Sequence, residues 1–350
     1  MAPPAAWYGF APMTTLVTGA TGFVGINLVR KLVERGEKVR AFARPSSKPR
    51  RGLEGLDIEV APGDVTEKET VRAAMKGVRR VYHVAGVTAQ GPWRSTRRWL
   101  KKVNVEGTEN VCEAALEAGV ERLVHCSSIA AVGYGSLEKP ATEDQAWNLG
   151  ALGSPYYDTK RDAEAVVRRS IEKGLDAVIV NPGFMIGAYD VKPTSSQVVL
   201  EAARRKKGIP IYPTRGGINA LDVEDAALGH VAAMEKGKKG ERYILGNENI
   251  TWRALFTLAN EVAGKPPPWL PISLIPAYPF ALVGNVLGLL KPEWFDNFNT
   301  ATLRAGSLLH CVSPEKARRE LGLPATPLRA SMEKALAWFR SNGYLEKKNG

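Results

Sequence analysis

From residue 14 onward the chain alternates short apolar runs with longer segments whose apolar positions recur at helical spacing. Thr14-Thr15-Leu16-Val17 is a compact apolar run. The stretch Thr18-Gly19-Ala20-Thr21-Gly22-Phe23-Val24-Gly25 follows it, and Ile26 to Val33 then carries apolar residues every three to four positions before Gly36 stops the pattern. That order predicts a strand, a turn and a helix. The same alternation continues. Strands are predicted at Lys38 to Arg44, Leu56 to Val60, Val78 to Gly86, Arg122 to Ser128 and Leu175 to Val180, with helices at Thr66 to Met75 and Asp158 to Ser170. Apolar strands separated by amphipathic helices predict an α/β fold with a doubly wound parallel sheet.

Beyond Ala188 the simple alternation ends. Asn219 to Ala227 and Gly240 to Gly246 read as a return to the main sheet, so 13–188 and 218–249 are assigned to one domain. The remainder, 189–217 and 250–345, is assigned to a smaller substrate lobe. Residues 1–12 contain Pro3, Pro4 and Pro12 and lack a basic region followed by a long apolar core, so they read as a flexible extension and not as a signal peptide. Met13 is a candidate natural start. The most apolar stretch, Leu270 to Leu290, is interrupted by Pro271, Pro276 and Pro279, which argues against a spanning helix. A packed lobe helix is the first expectation for it, and an apolar flap facing a hydrophobic substrate or a membrane surface stays open.

At 350 residues the chain can bury a large core, and its 44% apolar and 24% charged residues are those of a water-soluble globular protein. The cysteines, Cys112, Cys126 and Cys311, have neither metal-like nor disulfide-like spacing and fit a reducing cytoplasm. The net charge of +12 raises nucleic acid, membrane and anionic ligands as partners. The basic clusters, Arg94 to Lys102 and Arg204 to Lys207, are joined by no nucleic-acid motif, which leaves a solvated basic face, or a phosphorylated cofactor or a carboxylate or phosphate substrate.

The glycine turn carries the first chemistry. A pyrophosphate can sit on the backbone N–H groups at a helix N-terminus only where no side chains intrude. Gly19, Gly22 and Gly25 supply that bareness, and Phe23 and Val24 open the helix. Rossmann proteins that prefer NAD place an acidic residue about twenty residues further on, to hold the ribose 2′-hydroxyl. Here Ala43 and Arg44 stand there, followed by Pro45, Ser46, Ser47 and Lys48. A cation beside hydroxyls suits a 2′-phosphate, so NADP(H) is favoured and NAD(H) remains open.

A second constellation lies downstream. Ser127-Ser128 ends a strand at its carboxyl side, where ligands bind in open α/β sheets. Tyr156 and Lys160 are one helical turn apart and so share a face. Tyr157 also has a cation four residues on, Arg161, but only Tyr156 has a lysine there. With the glycine turn, these residues resemble the short-chain dehydrogenase/reductase superfamily in its extended form, the NAD-dependent epimerases and dehydratases. Within it, Ser127-Ser128, Arg44 and Gly240 to Gly246 look most like dihydroflavonol-reductase-like and 3β-hydroxysteroid-dehydrogenase-like members.

The resemblance implies a Rossmann-type sheet with a C-terminal substrate lobe, and roles for particular residues. Asp64, with Val65, would lie by the adenine. Ala85 and Gly86 would let the backbone approach the cofactor, and Pro182 would stand beside the nicotinamide. Asn104 would support the active site from the kink of a long helix. Lys160 would contact the nicotinamide ribose and favour the Tyr156 phenolate by its charge. Ser128, with Ser127 as the less favoured choice, would hydrogen-bond a substrate carbonyl as NADPH delivers hydride and Tyr156 the proton; run backwards, the site oxidises a secondary alcohol. His83 reads as a packed core histidine. Asn181 stands where the family often has an arginine. No metal site is expected, and a homodimer is a family expectation.

Three readings follow: a reductase or dehydrogenase acting on an external ketone or alcohol; a nucleotide-sugar epimerase or dehydratase that retains NAD through its cycle; and a non-catalytic NADP-binding protein. The first is preferred. Arg44 speaks against the second, and the joint presence of Ser128, Tyr156 and Lys160 against the third. Trp252, Trp269, Tyr278, Phe280, Trp294 and Phe295 point to a hydrophobic ligand, although aromatic residues at this density more often serve a core.

Overall fold

The computed structural model describes residues 14–46, 50–296 and 298–346. The expected extension at 1–12, Met13, and Ser47 and Lys48 beside Arg44 lie outside the described residues.

The first part of the chain runs β1 (Thr14–Thr18), α1 (Phe23–Glu34), β2 (Lys38–Ala43), β3 (Ile58–Pro62), α2 (Lys68–Met75), β4 (Val78–His83), α3 (Arg94–Leu100), α4 (Gly107–Glu117), β5 (Arg122–Cys126), α5 (Pro155–Glu172) and β6 (Ala177–Pro182). The second part runs β7 (Phe184–Ile186), α6 (Gln197–Arg204), β8 (Ile211–Pro213), β9 (Gly217–Asp222), α7 (Val223–Lys236), β10 (Arg242–Leu245), β11 (Glu248–Thr251), α8 (Trp252–Val262), β12 (Leu270–Ile272), α9 (Leu274–Leu287), α10 (Pro292–Phe295), α11 (Thr300–Ser307), β13 (Leu309–His310), α12 (Glu315–Leu321) and α13 (Leu328–Ser341).

Seven strands form one parallel sheet in the order β10-β6-β5-β4-β1-β2-β3. The order reverses between β1 and β4, which is where a doubly wound sheet opens a ligand crevice. Helices cover both faces. Ile26, Leu28 and Leu32 of α1 share a core with Ala226, Ala227 and Val231 of α7. Val71 and Met75 of α2, Val111 and Ala115 of α4 and Val167 of α5 form the other. Burial on both faces is why β1 and β6 are buried at every position and show no alternation.

Strand limits follow their partners. The third strand begins at Ile58 and runs to Pro62 because it pairs only with β2, from Val39↔Ile58 to Ala43↔Pro62. An edge strand tolerates a proline there. The expected return of 218–249 to the main sheet is split. Helix α7 and strand β10 do pack on that sheet, whereas β9 joins β7, β11 and β13 in a separate four-stranded sheet. Gly183, whose backbone is pressed against the Asn219 carbonyl, turns the chain from one sheet to the other.

The second part has its own core, in which Leu200 of α6, Leu255 and Ala259 of α8 and Met332, Leu336 and Phe339 of α13 meet. Residues 274–287 form a helix despite Pro279. Among the described residues no helix is long and apolar enough to cross a membrane, and no group of His, Cys, Asp or Glu is arranged to hold a metal ion.

Candidate active site

At the end of β1 the chain enters the glycine turn. Gly19 has a φ of +67°, and a Cβ built on it would lie 2.7 Å from the Ala85 Cα. No side chain is accommodated there, so the ends of β1 and β4 meet backbone to backbone. Gly22 N donates to Gly19 O at 2.9 Å and closes the turn. The backbone of Gly25 is pressed against the Gly19 carbonyl, leaving no room for a Cβ. Gly22 caps α1 without a side-chain hydrogen bond, and no acidic residue occupies the first turn. The N–H groups at Phe23 and Val24 therefore meet no competing side-chain acceptor, and the turn fits the diphosphate of a dinucleotide.

Arg44, just past β2, is exposed. Gly63 N donates to Ala43 O at 3.0 Å, which sets Arg44 beside Gly63 and Asp64 at the sheet edge. Asp64 Oδ1 accepts from both Thr66 N and Thr66 Oγ1 at 2.9 Å, shaping the turn into α2. Val65 is buried, and its carbonyl accepts from Asn110 Nδ2 at 2.8 Å.

Between α3 and α4 the helix does not break but widens into a π-helical turn, Lys101–Glu106, which contains the buried Asn104. Such turns carry one extra residue and recur at functional sites. Asn104 Oδ1 accepts from Val87 N at 2.9 Å, while its Nδ2 donates to Val87 O at 3.0 Å and to Thr159 Oγ1 at 3.3 Å. The amide thus ties the segment after β4 to α5. A Cβ on the exposed Gly86 would stand 3.4 Å from Lys160 Nζ and 3.5 Å from Asn104 Oδ1. This glycine opens onto the two polar groups.

Pro155 at the first turn of α5 presets the helix that carries Tyr156 and Lys160. Lys160 is buried, and its Nζ donates to the Cys126 carbonyl at 3.2 Å. That bond holds the ammonium at the carboxyl end of β5, two residues before Ser128. Ser128 is half-buried, and its Oγ accepts from Ala130 N at 3.2 Å as the cap of a short 3-10 turn. Ser127 lies deeper, with its Oγ buried and unbonded. The ring of Tyr156 meets that of Tyr157 edge-on at 5.8 Å. Burial pushes the Tyr157 hydroxyl well above the usual phenol range. Tyr157 stacks on His310 at 5.9 Å, which places it in the packing between α5 and β13.

The structure therefore brings Gly86, Asn104, Lys160 and Ser128 to the carboxyl ends of β4 and β5, with Tyr156 one turn before Lys160. The glycine turn and Ala85 border that place, and Pro182 ends β6 beside it. Arg44, Asp64 and Val65 stand apart, at the far end of the crevice. His83 is fully buried; its Nδ1 is 2.8 Å from Thr18 Oγ1 and its Nε2 is 3.0 Å from Thr108 Oγ1. Burial, reinforced by the Lys160 charge, lowers its pKa to about 3, so it stays neutral.

Two participants were not singled out from sequence. Thr159 receives the Asn104 amide. Glu164 is buried, and its Oε1 accepts from Asn181 Nδ2 at 2.6 Å. The same amide group donates to the Ser128 carbonyl at 2.9 Å. Glu164 lies four residues past Lys160 on a helix face that packs against the sheet, and a carboxylate at that spacing was the available signal.

Comparison with known proteins identifies the family. The family described as "NAD dependent epimerase/dehydratase family" matches residues 15–246. The sterol demethylase protein B of Methylococcus capsulatus is 36% identical over 339 residues, spanning 95% of this chain and 100% of that one. The dihydroflavonol 4-reductase of Zea mays is 26% identical over 264 residues, 71% of this chain and 74% of its own. The crystal structure of gox2253 superposes with a TM-score of 0.82 at 40% identity, covering 95% of this chain and 99% of that one. The chain belongs to the NAD-dependent epimerase/dehydratase family of extended short-chain dehydrogenases/reductases, and it is an NAD(P)-dependent enzyme.

Proposed function

We propose that the enzyme interconverts a ketone and a secondary alcohol on a hydrophobic small molecule, with NADP(H) as its cofactor. The observation that carries this reading is the convergence of Lys160 Nζ and Asn104 Oδ1 on Gly86, beside a turn that fits a diphosphate. When bound, the nicotinamide supplies or accepts the hydride. Gly19, Gly22, Phe23, Val24 and Gly25 hold the diphosphate, Asp64 and Val65 border the adenine, and Ala85, Gly86 and Pro182 give the dinucleotide close backbone contact.

The chain's own groups manage the proton and the orientation. Ser128 Oγ donates to the substrate carbonyl and fixes its direction. The Tyr156 hydroxyl gives its proton to the same oxygen as the alcohol forms, and the Lys160 ammonium stabilises the phenolate left behind. Asn104 holds the segment at Val87 so that Gly86 stays open. Arg44, exposed at the end of β2, takes the 2′-phosphate.

The hydrophobic substrate class is supported by relatives named for a sterol and for dihydroflavonol. A cytoplasmic setting is supported by Cys112, Cys126 and Cys311, all free and buried. Division into a cofactor domain of 13–188 and 218–249 and a substrate lobe, and a homodimer built through sheet-flanking helices, complete the proposal.

The family description favours one competing reading, an epimerase or dehydratase that keeps its NAD. Titration of the purified enzyme with NADPH and NADH, followed by analysis of any nucleotide carried through purification, separates the two. Tighter binding and free exchange of NADPH, with weaker NADPH binding in Arg44→Ala, support the reductase. NAD that stays bound and does not exchange overturns it.

A further inference from the structure

The helix α9 is built inside out. Its packed side carries small or polar residues at positions 281, 284, 285 and 288, which is helical spacing. Ala281 is buried, Gly284 presses its backbone on the Phe298 carbonyl, and Gly288 lies against the Trp93 indole. Asn285 accepts Trp93 Nε1 on its carbonyl at 2.8 Å and bonds Thr300 with its amide at 2.8 Å. The large apolar side chains point the other way. Phe280, Val286, Leu289, Leu290 and Trp294 are between 64% and 84% exposed, and Leu282, Val283 and Leu287 extend the same surface.

A contiguous apolar surface of this kind marks a place where something docks. Residues 270–290 include no charged side chain, so the surface offers a protein partner no ion pair of its own. The charges around it are mostly cations, with one exposed acidic residue, Glu293, beside Trp294. Arg94 lines the same cleft as Asn285 and Leu289. Arg304 Nη2 donates to Tyr278 Oη at 2.7 Å, near the start of the helix. Lys291 Nζ lies 4.2 Å from the centre of the exposed Trp294 ring. An apolar centre with a cationic rim and an interfacial tryptophan matches the charge and polarity profile of an anionic bilayer surface. A second copy of the chain would bring a like-charged rim, on a molecule whose net charge is already +12.

We propose that α9 and the turn after it form a membrane-docking surface, seated in the interface of an anionic lipid bilayer without spanning it. The surface borders the candidate site. Asp296 Oδ1 accepts from Gln90 N at 2.8 Å and Gly91 N at 2.9 Å, and so ties the base of the apolar surface to the segment that leaves Gly86. Docking there would present the crevice to molecules dissolved in lipid. The docking claim stands on α9 and its rim alone and does not depend on the reaction proposed above.

The test is co-sedimentation of the full chain with vesicles of phosphatidylcholine, alone and mixed with phosphatidylglycerol. Val286→Glu/Leu290→Glu serves as the apolar variant and Arg94→Glu as the rim variant, each checked for an unchanged circular dichroism spectrum. Wild-type protein is expected to pellet with the anionic vesicles and far less with the neutral ones. The apolar variant should lose at least about tenfold in bound fraction, and the rim variant should lose its preference for anionic lipid. Wild-type protein left in the supernatant with both vesicle types overturns the proposal. So does equal pelleting of wild type and apolar variant, or a wild-type dimer that the apolar variant makes monomeric while vesicles bind neither.

Discussion

Glu164 Oε1 and Asn181 Nδ2 lie 2.6 Å apart in the interior, and the same Asn181 amide holds the Ser128 backbone carbonyl at 2.9 Å. A carboxylate on α5 thereby fixes an amide on β6, which in turn fixes the serine that follows β5. Glu164 Oε2 also lies 3.5 Å from Arg242 Nη1 on β10.

Removing the carboxylate leaves both Asn181 and the largely buried Arg242 without it. Glu164→Ala is expected to cost about 3 kcal/mol of stability, read as a lower denaturant midpoint at unchanged slope. Glu164→Gln keeps an acceptor for Asn181 and is expected to cost about 1 kcal/mol. Because the network reaches Ser128 only through its backbone, both variants should lower kcat more than they raise KM. Equal stability of the two variants would refute the buried role of the charge.

The glycines of the turn should separate by substitution. Gly19→Ala and Gly25→Ala each force a Cβ into backbone atoms and are expected to lose about 1–3 kcal/mol with cofactor binding abolished. Gly22 has a φ of −85° and only the Gly19 carbonyl oxygen nearby, at 3.3 Å. Gly22→Ala should keep its thermal stability yet bind NADPH more weakly, as seen by fluorescence titration beside a melting curve.

Tyr156→Phe and Lys160→Met should each reduce turnover about 10²–10⁴-fold with the fold intact. Tyr157→Phe is the internal control. Its hydroxyl is held neutral by burial, away from the proton path, and its loss should leave turnover within a few fold. Steady-state rates on one ketone substrate decide between the two tyrosines.

All four histidines are buried, and burial lowers the pKa of each: His83 to about 3, His230 to about 4, and His125 and His310 in the same direction. Protons that the unfolded chain takes up below about pH 6.5 are refused by the folded one. Stability should therefore be full above that pH and fall as the pH drops toward 3, by about 2 kcal/mol at pH 5 for His83 alone. Asp190, Glu143 and Asp225 lean the other way. Burial raises all three carboxyls, that of Asp190 to about 6, so their share of stability grows as the pH falls. Denaturant midpoints measured between about pH 7.5 and 4.5 should fall, since the four buried imidazoles together carry the larger shifts.

What the sequence made legible was local. The glycine turn is set by the backbone space at Gly19 and Gly25, and the spacing of Tyr156 and Lys160 by one helical turn. Both are fixed within a few residues. The four-stranded sheet was not legible, because β7 and β13 are three and two residues long and exist only by pairing with β9. The π-helical turn at Asn104 adds a residue that no periodicity announces. Glu164 is marked in the sequence only by its spacing from Lys160, and its role appears once Asn181 and Arg242 are seen against it.

The position of β10 governs how the molecule can be made. Strand β6 is buried along its whole length, yet one of its edges is covered only by β10, whose residues follow the first strands of the small sheet. During synthesis every earlier strand of the main sheet has left the ribosome before that edge can close. Until Leu245 emerges, the nascent chain carries an apolar open edge. A fragment ending at residue 188 would retain it permanently, and should be recovered as aggregate.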